Sequence, residues 1–303
     1  MKTRNILMLI AFLPFFYACK YDDSYLNPIM TRKAYFASFT NYNRTVIVGE
    51  GLHFKIGAAM SGVTENNKNE TVNMIIWKTA PLASGEILMP DSLYNSIELG
   101  STITATIPSG SFLGYFTVKL DSVKFLNNPT SLLGTYVLPV KITGTSLDVI
   151  GNLDSVFVSV KYMSGVDGFY LYQTTIKKEI NGLIIESKTY SEIYPNESDN
   201  SAWRLSTIGP YKVLVTPAVN SILNGFTFNL NVQNDAVVYE SLSDKPLIIS
   251  DGDNVYSKKT RDFQLNYKYK SETSDTIVHV SQKLIFRNRL VDNVNQTRDY
   301  LLN

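Results

Sequence analysis

The chain has 303 residues, 44% of them hydrophobic, which predicts one large or two ordinary globular domains. Its 28 Lys and Arg against 27 Asp and Glu give a net charge of +1, so the basic excess of a nucleic-acid-binding protein is missing. A single Cys excludes an intramolecular disulfide, and with only two His the chain does not supply a Cys/His zinc site.

Residues 1–18 have the pattern of a signal peptide. A short basic segment precedes an apolar run over residues 6–17, which is shorter than the about 20 residues that span a bilayer. The pair Ala18-Cys19 resembles the processing site of bacterial lipoproteins, in which the cysteine is acylated before cleavage. We therefore expect cleavage after Ala18, a lipid anchor on Cys19 and a tether over residues 19–30.

The residues directly after Cys19 bear on where the anchored chain is held. Lys20-Tyr21-Asp22-Asp23 resembles the lysine-plus-acidic signal that sends Bacteroidetes lipoproteins to the cell surface. We expect an outer-membrane protein that contacts the membrane through its lipid and faces the exterior.

The rest of the first half has the pattern of an immunoglobulin-like β-sandwich over residues 31–163. Strand-like segments with alternating apolar residues recur between turn signals, and a short helix is expected within residues 121–133. The predicted strands cover residues 33–36, 43–48, 52–59, 71–78, 94–98, 101–107, 112–120, 134–142 and 155–162.

A boundary is expected at residues 163–168, where Gly, Ser and Asp interrupt the strand pattern. Residues 168–303 then form a second antiparallel β domain, either an up-and-down barrel or a sandwich. Asn181-Gly182 is a strong hairpin signal within it, because the favoured two-residue turn needs positive φ at both positions. The predicted strands cover residues 169–178, 183–190, 202–207, 212–217, 225–232, 237–241, 247–250, 260–270 and 276–287.

No catalytic constellation stands out, so no catalytic residue and no cofactor are predicted. His53 and His279 both lie on predicted strands and are expected to face solvent, and no G-x-S-x-G nucleophile elbow is present. Hydrolysis of glycosides by two distant carboxylates stays open, because their spacing in sequence carries no signal. Asp251 and Asp253, in a polar turn, are a weak calcium candidate beside the simpler interpretation of a hairpin tip.

Aromatic residues are the main candidates for ligand contact, because a Trp or Tyr ring can stack on the apolar face of a sugar while its polar atom bonds a hydroxyl. The wider set also holds Tyr190 and Tyr211. The favoured glycan-binding candidates are Trp203, Tyr194, Trp77 and Tyr94.

Several segments together resemble a known architecture. In the first half they are residues 27–30, 48–52, 107–114 and 136–140, and in the second half residues 207–210, 263–267 and 284–289. Those of the first half are similar to the N-terminal domain of unknown function in Bacteroidetes surface lipoproteins, the kind of domain that precedes the hydrolase module of some endo-β-N-acetylglucosaminidases. Those of the second half are similar to the domain of unknown function that often follows it.

The resemblance implies a role in a polysaccharide-utilisation system. We expect a non-enzymatic surface lipoprotein whose partners are a glycan, the membrane through its lipid and an outer-membrane importer complex. The alternative is a structural or adhesive surface lipoprotein that contacts a partner protein and has no glycan site.

Overall fold

The computed structural model describes residues 31–37, 42–95, 101–193, 201–243, 245–271 and 274–297. The described chain is all-β and forms three sheets in two units. The first unit contains β1 (Lys33–Tyr35), β2 (Tyr42–Ile47), β3 (His53–Ser61), β4 (Glu70–Ile76), β5 (Ile87–Leu88), β6 (Ile103–Ile107), β7 (Leu113–Lys119), α1 (Ser122–Leu126), α2 (Thr130–Leu133), β8 (Tyr136–Thr145), β9 (Asp148–Val149) and β10 (Ser155–Met163).

The first unit is a sandwich of two sheets. One sheet has the order β7-β3-β1-β9, and the other has the order β2-β10-β8-β4-β6 with β5 added beside β8. Strand alternation explains the core, since Val156, Val158 and Val160 of β10 are buried while their neighbours are partly exposed. Asp121 caps α1 by accepting hydrogen bonds from the backbone N–H groups of Val123 and Lys124.

The second unit contains the remaining strands and decides between the two expected architectures. They are β11 (Gly168–Ile180), β12 (Leu183–Glu192), β13 (Trp203–Gly209), β14 (Lys212–Thr216), β15 (Phe228–Gln233), β16 (Ala236–Glu240), β17 (Ile249–Ser250), β18 (Val255–Tyr256), β19 (Phe263–Lys270), β20 (Ile277–Val291) and β21 (Val294–Thr297).

The second unit is a closed barrel. Within the described residues a ring of eight strands runs β11-β13-β14-β15-β16-β18-β19-β20, and β20 pairs back to β11. A barrel of this size is filled by its own side chains. Tyr170, Trp203, Phe228, Leu265 and Phe286 belong to its buried core. The hairpin partner β12 lies outside the ring and pairs with β11.

Turn chemistry agrees with the hairpin signal at Asn181-Gly182. Asn181 has φ 51° and Gly182 has φ 79°, as the two central residues of the favoured turn require. One predicted strand, over residues 94–98, is wrong at its start, because Tyr94 makes a single bridge to Leu120 and Asn95 is in a turn. Residues 96–100 of that prediction lie outside the described residues.

Polar contacts join the sandwich to the barrel. Arg289 of β20 donates from both terminal guanidinium nitrogens to Glu50, at 3.0 and 2.8 Å, and Arg261 also donates to Glu50. The backbone N–H and the hydroxyl of Thr45 donate to Asp292 at 2.9 and 2.7 Å. These bonds hold β2 and the loop after it against the barrel.

The linker between the two units is also tied to the barrel. The backbone N–H of Ser164 donates to the hydroxyl of Thr207 at 3.0 Å, and that hydroxyl donates to Asp167 at 2.6 Å. Asp167 is almost fully buried and forms an ion pair with Arg204 at 2.6 Å. These contacts hold the linker against the barrel.

None of the helices in the described ranges has the length and apolar character needed to cross a membrane.

Candidate functional site

Trp203, the first favoured glycan candidate, is a core residue of the barrel. Its side chain is completely buried and its ring packs against Tyr172, with ring centroids 6.1 Å apart. A ring with no exposed face has no surface on which a sugar stacks, so this prediction is wrong. The residue sits at the start of β13 with its side chain turned into the barrel, where it supplies apolar area to the core.

Tyr94 is likewise unsuited to ligand contact. Its side chain is buried in the sandwich core, and its hydroxyl donates a hydrogen bond to Asp91 at 2.7 Å. Burial, and after it the bond to the Asp91 carboxylate, raises the pKa of the Tyr94 hydroxyl well above its ordinary value. Tyr94 thus fixes the turn at Asp91 and does not present its ring to solvent.

The remaining favoured residues are placed differently. Trp77 is half-buried directly after β4, where its ring packs against Phe157 and lies 4.7 Å from the ammonium of Lys141. The lysine already occupies one face of this ring through a cation–π contact. Tyr194 and the anchor residue Cys19 lie outside the described residues.

The calcium candidate is occupied by cationic groups. The carboxylate of Asp251 contacts Nδ1 of His279 at 2.5 Å and the ammonium of Lys268 at 3.3 Å. Nε2 of His279 contacts Glu179 at 2.8 Å. The Asp251 carboxylate therefore already has cationic partners and is not free to bind a calcium ion. The backbone carbonyl of Asp253 accepts a hydrogen bond from Asn266. These contacts give the turn a structural role and argue against the calcium hypothesis.

The expectation that His279 faces solvent is wrong, because its side chain is only 22% exposed and contacts two carboxylates. It is partly buried between Asp251 and Glu179, and its hydrogen bond to Asp251, together with the bond to Glu179, raises the pKa of the imidazole despite partial burial. Burial alone would raise the pKa of Asp251, but the bonds from His279 and Lys268 outweigh it and lower that pKa. His53, by contrast, is exposed on β3, as expected.

A concave site lies where the sandwich meets one end of the barrel; we call it the junction cleft. It has a volume of about 400 Å³, within the range of small-molecule sites. The sandwich contributes the loop at residues 48–50, and the linker contributes residues 164–166. The barrel contributes Pro210 and Tyr211, Asn234 and Asp235, and the segment around Lys258 and Arg261.

Turn geometry brings the polar groups of the junction cleft together. Asn234 and Asp235 connect β15 to β16 with φ values of 50° and 68°, the left-handed pair of a tight hairpin turn. Both residues are exposed, and Asp235 forms an exposed ion pair with Lys258 at 3.5 Å. An amide, a carboxylate and an ammonium therefore line one wall of the cleft.

Tyr211 supplies the aromatic surface of the junction cleft. It lies in the turn between β13 and β14, and 42% of its side chain is exposed. The preceding Pro210 fixes the backbone dihedral φ of the turn, which positions the ring at the cleft. An exposed ring beside hydrogen-bonding side chains is suited to a ligand with apolar C–H faces and many hydroxyl groups.

Glu50, which lines the junction cleft, is held in place by charge. Burial alone would raise the pKa of Glu50, but hydrogen bonds from Arg289 and Arg261 outweigh it and hold that pKa below its ordinary value. Burial raises the pKa of the neighbouring Tyr256 to about 12. Both Glu50 oxygens are held by guanidinium groups, so this carboxylate acts as a structural anchor of the cleft.

Sequence reasoning identified one residue of the junction cleft and missed the others. Tyr211 belonged to the wider set of aromatic candidates by residue type alone. Asn234 and Asp235 are adjacent residues of a type that tolerates positive φ, a turn signal that was not used. Glu50 and Arg261 gave none, because their contact joins residues 211 positions apart.

Comparison with known proteins gives relatives without a known activity. A family model described as an N-terminal domain matches residues 22–149, which is less than half of the chain. No curated protein matches the chain. These comparisons give no substrate or partner.

Two solved structures from Bacteroides ovatus, both of unknown function, resemble this one. The first has a TM-score of 0.60 at 18% identity, covering 88% of this chain and 96% of that chain. The second has a TM-score of 0.37 at 11% identity, covering 89% of this chain and 96% of that chain. The first likeness shows a shared fold over both units.

Proposed function

We propose that this chain is a surface-exposed outer-membrane lipoprotein that binds glycans within a polysaccharide-utilisation system, and that the junction cleft is its glycan site. The location is supported by the Ala18-Cys19 processing pattern and by the Lys20 to Asp23 segment that follows.

The exposed ring of Tyr211 at the junction cleft carries the proposal. In the proposed complex the ring stacks on one sugar residue, while Asn234, Asp235 and Lys258 bond the hydroxyl groups of that residue and its neighbour. These side chains are exposed and require little rearrangement. A shallow site of this kind binds weakly, which is sufficient where tethered copies stand beside an importer at high local concentration.

A glycan array tests the proposal with the soluble chain that starts at residue 20. We expect one class of host or plant glycan to be retained. Replacing Tyr211 by Ala should weaken retention about tenfold, the equivalent of about 1.4 kcal/mol. Tyr115→Ala is the matched control, because Tyr115 is a similarly exposed tyrosine, at 52%, on the outer face of the sandwich.

The array results distinguish glycan binding from the adhesive alternative and from glycoside hydrolysis. Retention that is lost in Tyr211→Ala and kept in Tyr115→Ala supports the junction cleft. No retention of any glycan would contradict glycan binding and favour the adhesive alternative. Release of new reducing ends from the same glycans would instead show a hydrolase.

A further inference from the structure

The hairpin strand β12 is an open edge of the barrel sheet. Within the described residues it pairs only with β11, over residues 183–192, and it stands at the end of the strand order. An edge strand presents a row of free backbone N–H and C=O groups to any strand of matching length. β12 has ten residues, which is long for an unprotected edge.

The side chains of β12 add a reason to cover this edge. Leu183, Ile184 and Ile185 have exposures of 71%, 51% and 59%. Soluble proteins prevent edge-to-edge pairing by keeping edge strands short or by placing proline or lysine on them. A continuous exposed apolar segment instead favours association with another chain. β12 contains no proline and a single lysine.

One antiparallel register matches β12 to a second copy of itself. Within one copy Glu186 already pairs with Lys178 at 2.7 Å and with Lys188 at 2.9 Å. With Ser187 opposite Ser187 of the other copy, each Glu186 also lies opposite the other copy's Lys188, so opposite charges face each other at two positions. The same register brings the Leu183 to Ile185 segment against Tyr190 of the other copy. A two-fold axis through Ser187 makes the contact self-complementary, as a symmetric dimer requires.

We propose that two copies of this chain associate through antiparallel pairing of their β12 strands, centred on Ser187. The contact extends the barrel sheet of one copy into that of the other and covers the exposed apolar segment of each. A contact built mainly from one strand pair is small, so the dimer forms at high protein concentration and dissociates on dilution. This proposal does not depend on glycan binding.

A cysteine placed on the two-fold axis tests the register. The chain from residue 20 onward contains no cysteine, because Cys19 is the only one. Ser187→Cys brings two thiols face to face, within disulfide range, whereas Ser191→Cys on the same strand separates them by about 27 Å, from eight residues at about 3.4 Å each. At about 100 µM we expect disulfide dimers of Ser187→Cys at least fivefold faster than of Ser191→Cys.

A charge swap gives an independent test in the Ser187→Cys background. Glu186→Lys places lysines opposite one another across the axis, and Lys188→Glu places glutamates opposite one another, so each variant alone should cross-link at least fivefold more slowly. Mixing the two restores opposite charges in the heterodimer, and mixed dimers should exceed both homodimers. Circular dichroism spectra that match the parent chain establish that each variant is folded.

Two results overturn the proposal. One is a Ser187→Cys cross-linking rate no greater than that of Ser191→Cys. The other is a set of cross-linking rates that does not change with the charge swap. Either result leaves the glycan array unaffected, because Tyr211 lies outside β12, so the two proposals fail separately.

Discussion

Arg289 of the barrel and Glu50 of the sandwich form a two-bond ion pair, with nitrogen–oxygen distances of 3.0 and 2.8 Å. The Arg289 side chain is 1% exposed and that of Glu50 is 39% exposed. A buried guanidinium needs its counter-charge, so this pair links the stability of the two units and holds Glu50 in position at the junction cleft.

We predict that Glu50→Gln lowers the free energy of unfolding by about 1–3 kcal/mol, because the charged and buried Arg289 loses its anionic partner. The folded-state pKa of Glu50 is lowered, so its contribution is present above the unfolded-state pKa and is lost as pH falls through the folded-state value. Urea unfolding at pH 7 and at pH 3 should therefore show a larger difference between Glu50→Gln and the parent chain at pH 7.

Asp275→Ala is the matched control for that measurement. It removes an ion pair with Lys270 whose two side chains are largely exposed, and exposed pairs of this kind contribute little to stability. Equal losses from Glu50→Gln and Asp275→Ala would show that the Arg289 pair has no special role.

The His279 cluster should make stability depend on pH. The folded-state pKa of His279 is raised, so its stabilising contribution is complete below the ordinary value of about 6.5 and is lost as pH rises through the folded-state pKa. His279→Gln should therefore lower the melting temperature more at pH 5.5 than at pH 9. His53→Gln, at the exposed histidine of β3, should change neither value; a pH-independent loss in His279→Gln would contradict the ion-pair account.

Trp203 should behave as a core residue. Trp203→Ala is expected to cost about 3–5 kcal/mol of stability, because it leaves a large cavity in the barrel. Trp203→Phe should cost much less and leave glycan retention unchanged once the protein is folded. A folded Trp203→Phe variant that no longer retains glycan would restore this residue as a ligand contact.

The anchor prediction rests on Cys19. Cys19→Ala should abolish incorporation of labelled palmitate in cells of the source organism or a related host, because the thiol that accepts the lipid is absent. Ser24→Ala, in the same expected tether, should be labelled like the parent chain. Labelling that persists in Cys19→Ala would show that the lipoprotein assignment is wrong.

Local patterns in the sequence predicted much of the fold. Alternating apolar residues located β3, β7 and β10, and Asn181-Gly182 located the β11–β12 hairpin, because these signals depend on neighbours in the chain. The choice between barrel and sandwich was open, since closure depends on β11 pairing with β20, about 100 residues away. Long-range pairing of this kind leaves no local pattern.

The candidate site was predicted less well than the fold for the same reason. Residue type alone does not tell which face of a strand is buried, so Trp203 was assigned to the surface although it fills the barrel. His279 has its partners Asp251 and Glu179 at 28 and 100 residues' distance in sequence, so these contacts were not predicted. Tyr211 was among the aromatic candidates by residue type, and its position at the junction cleft was not predicted.

Titration calorimetry with the best array glycan tests the central claim most directly. We predict that the chain from residue 20 onward binds the glycan saturably. Its affinity should be about tenfold lower for Tyr211→Ala and unchanged for Tyr115→Ala. Equal affinities for the parent chain and Tyr211→Ala, or a loss confined to Tyr115→Ala, would contradict the junction cleft as the glycan site.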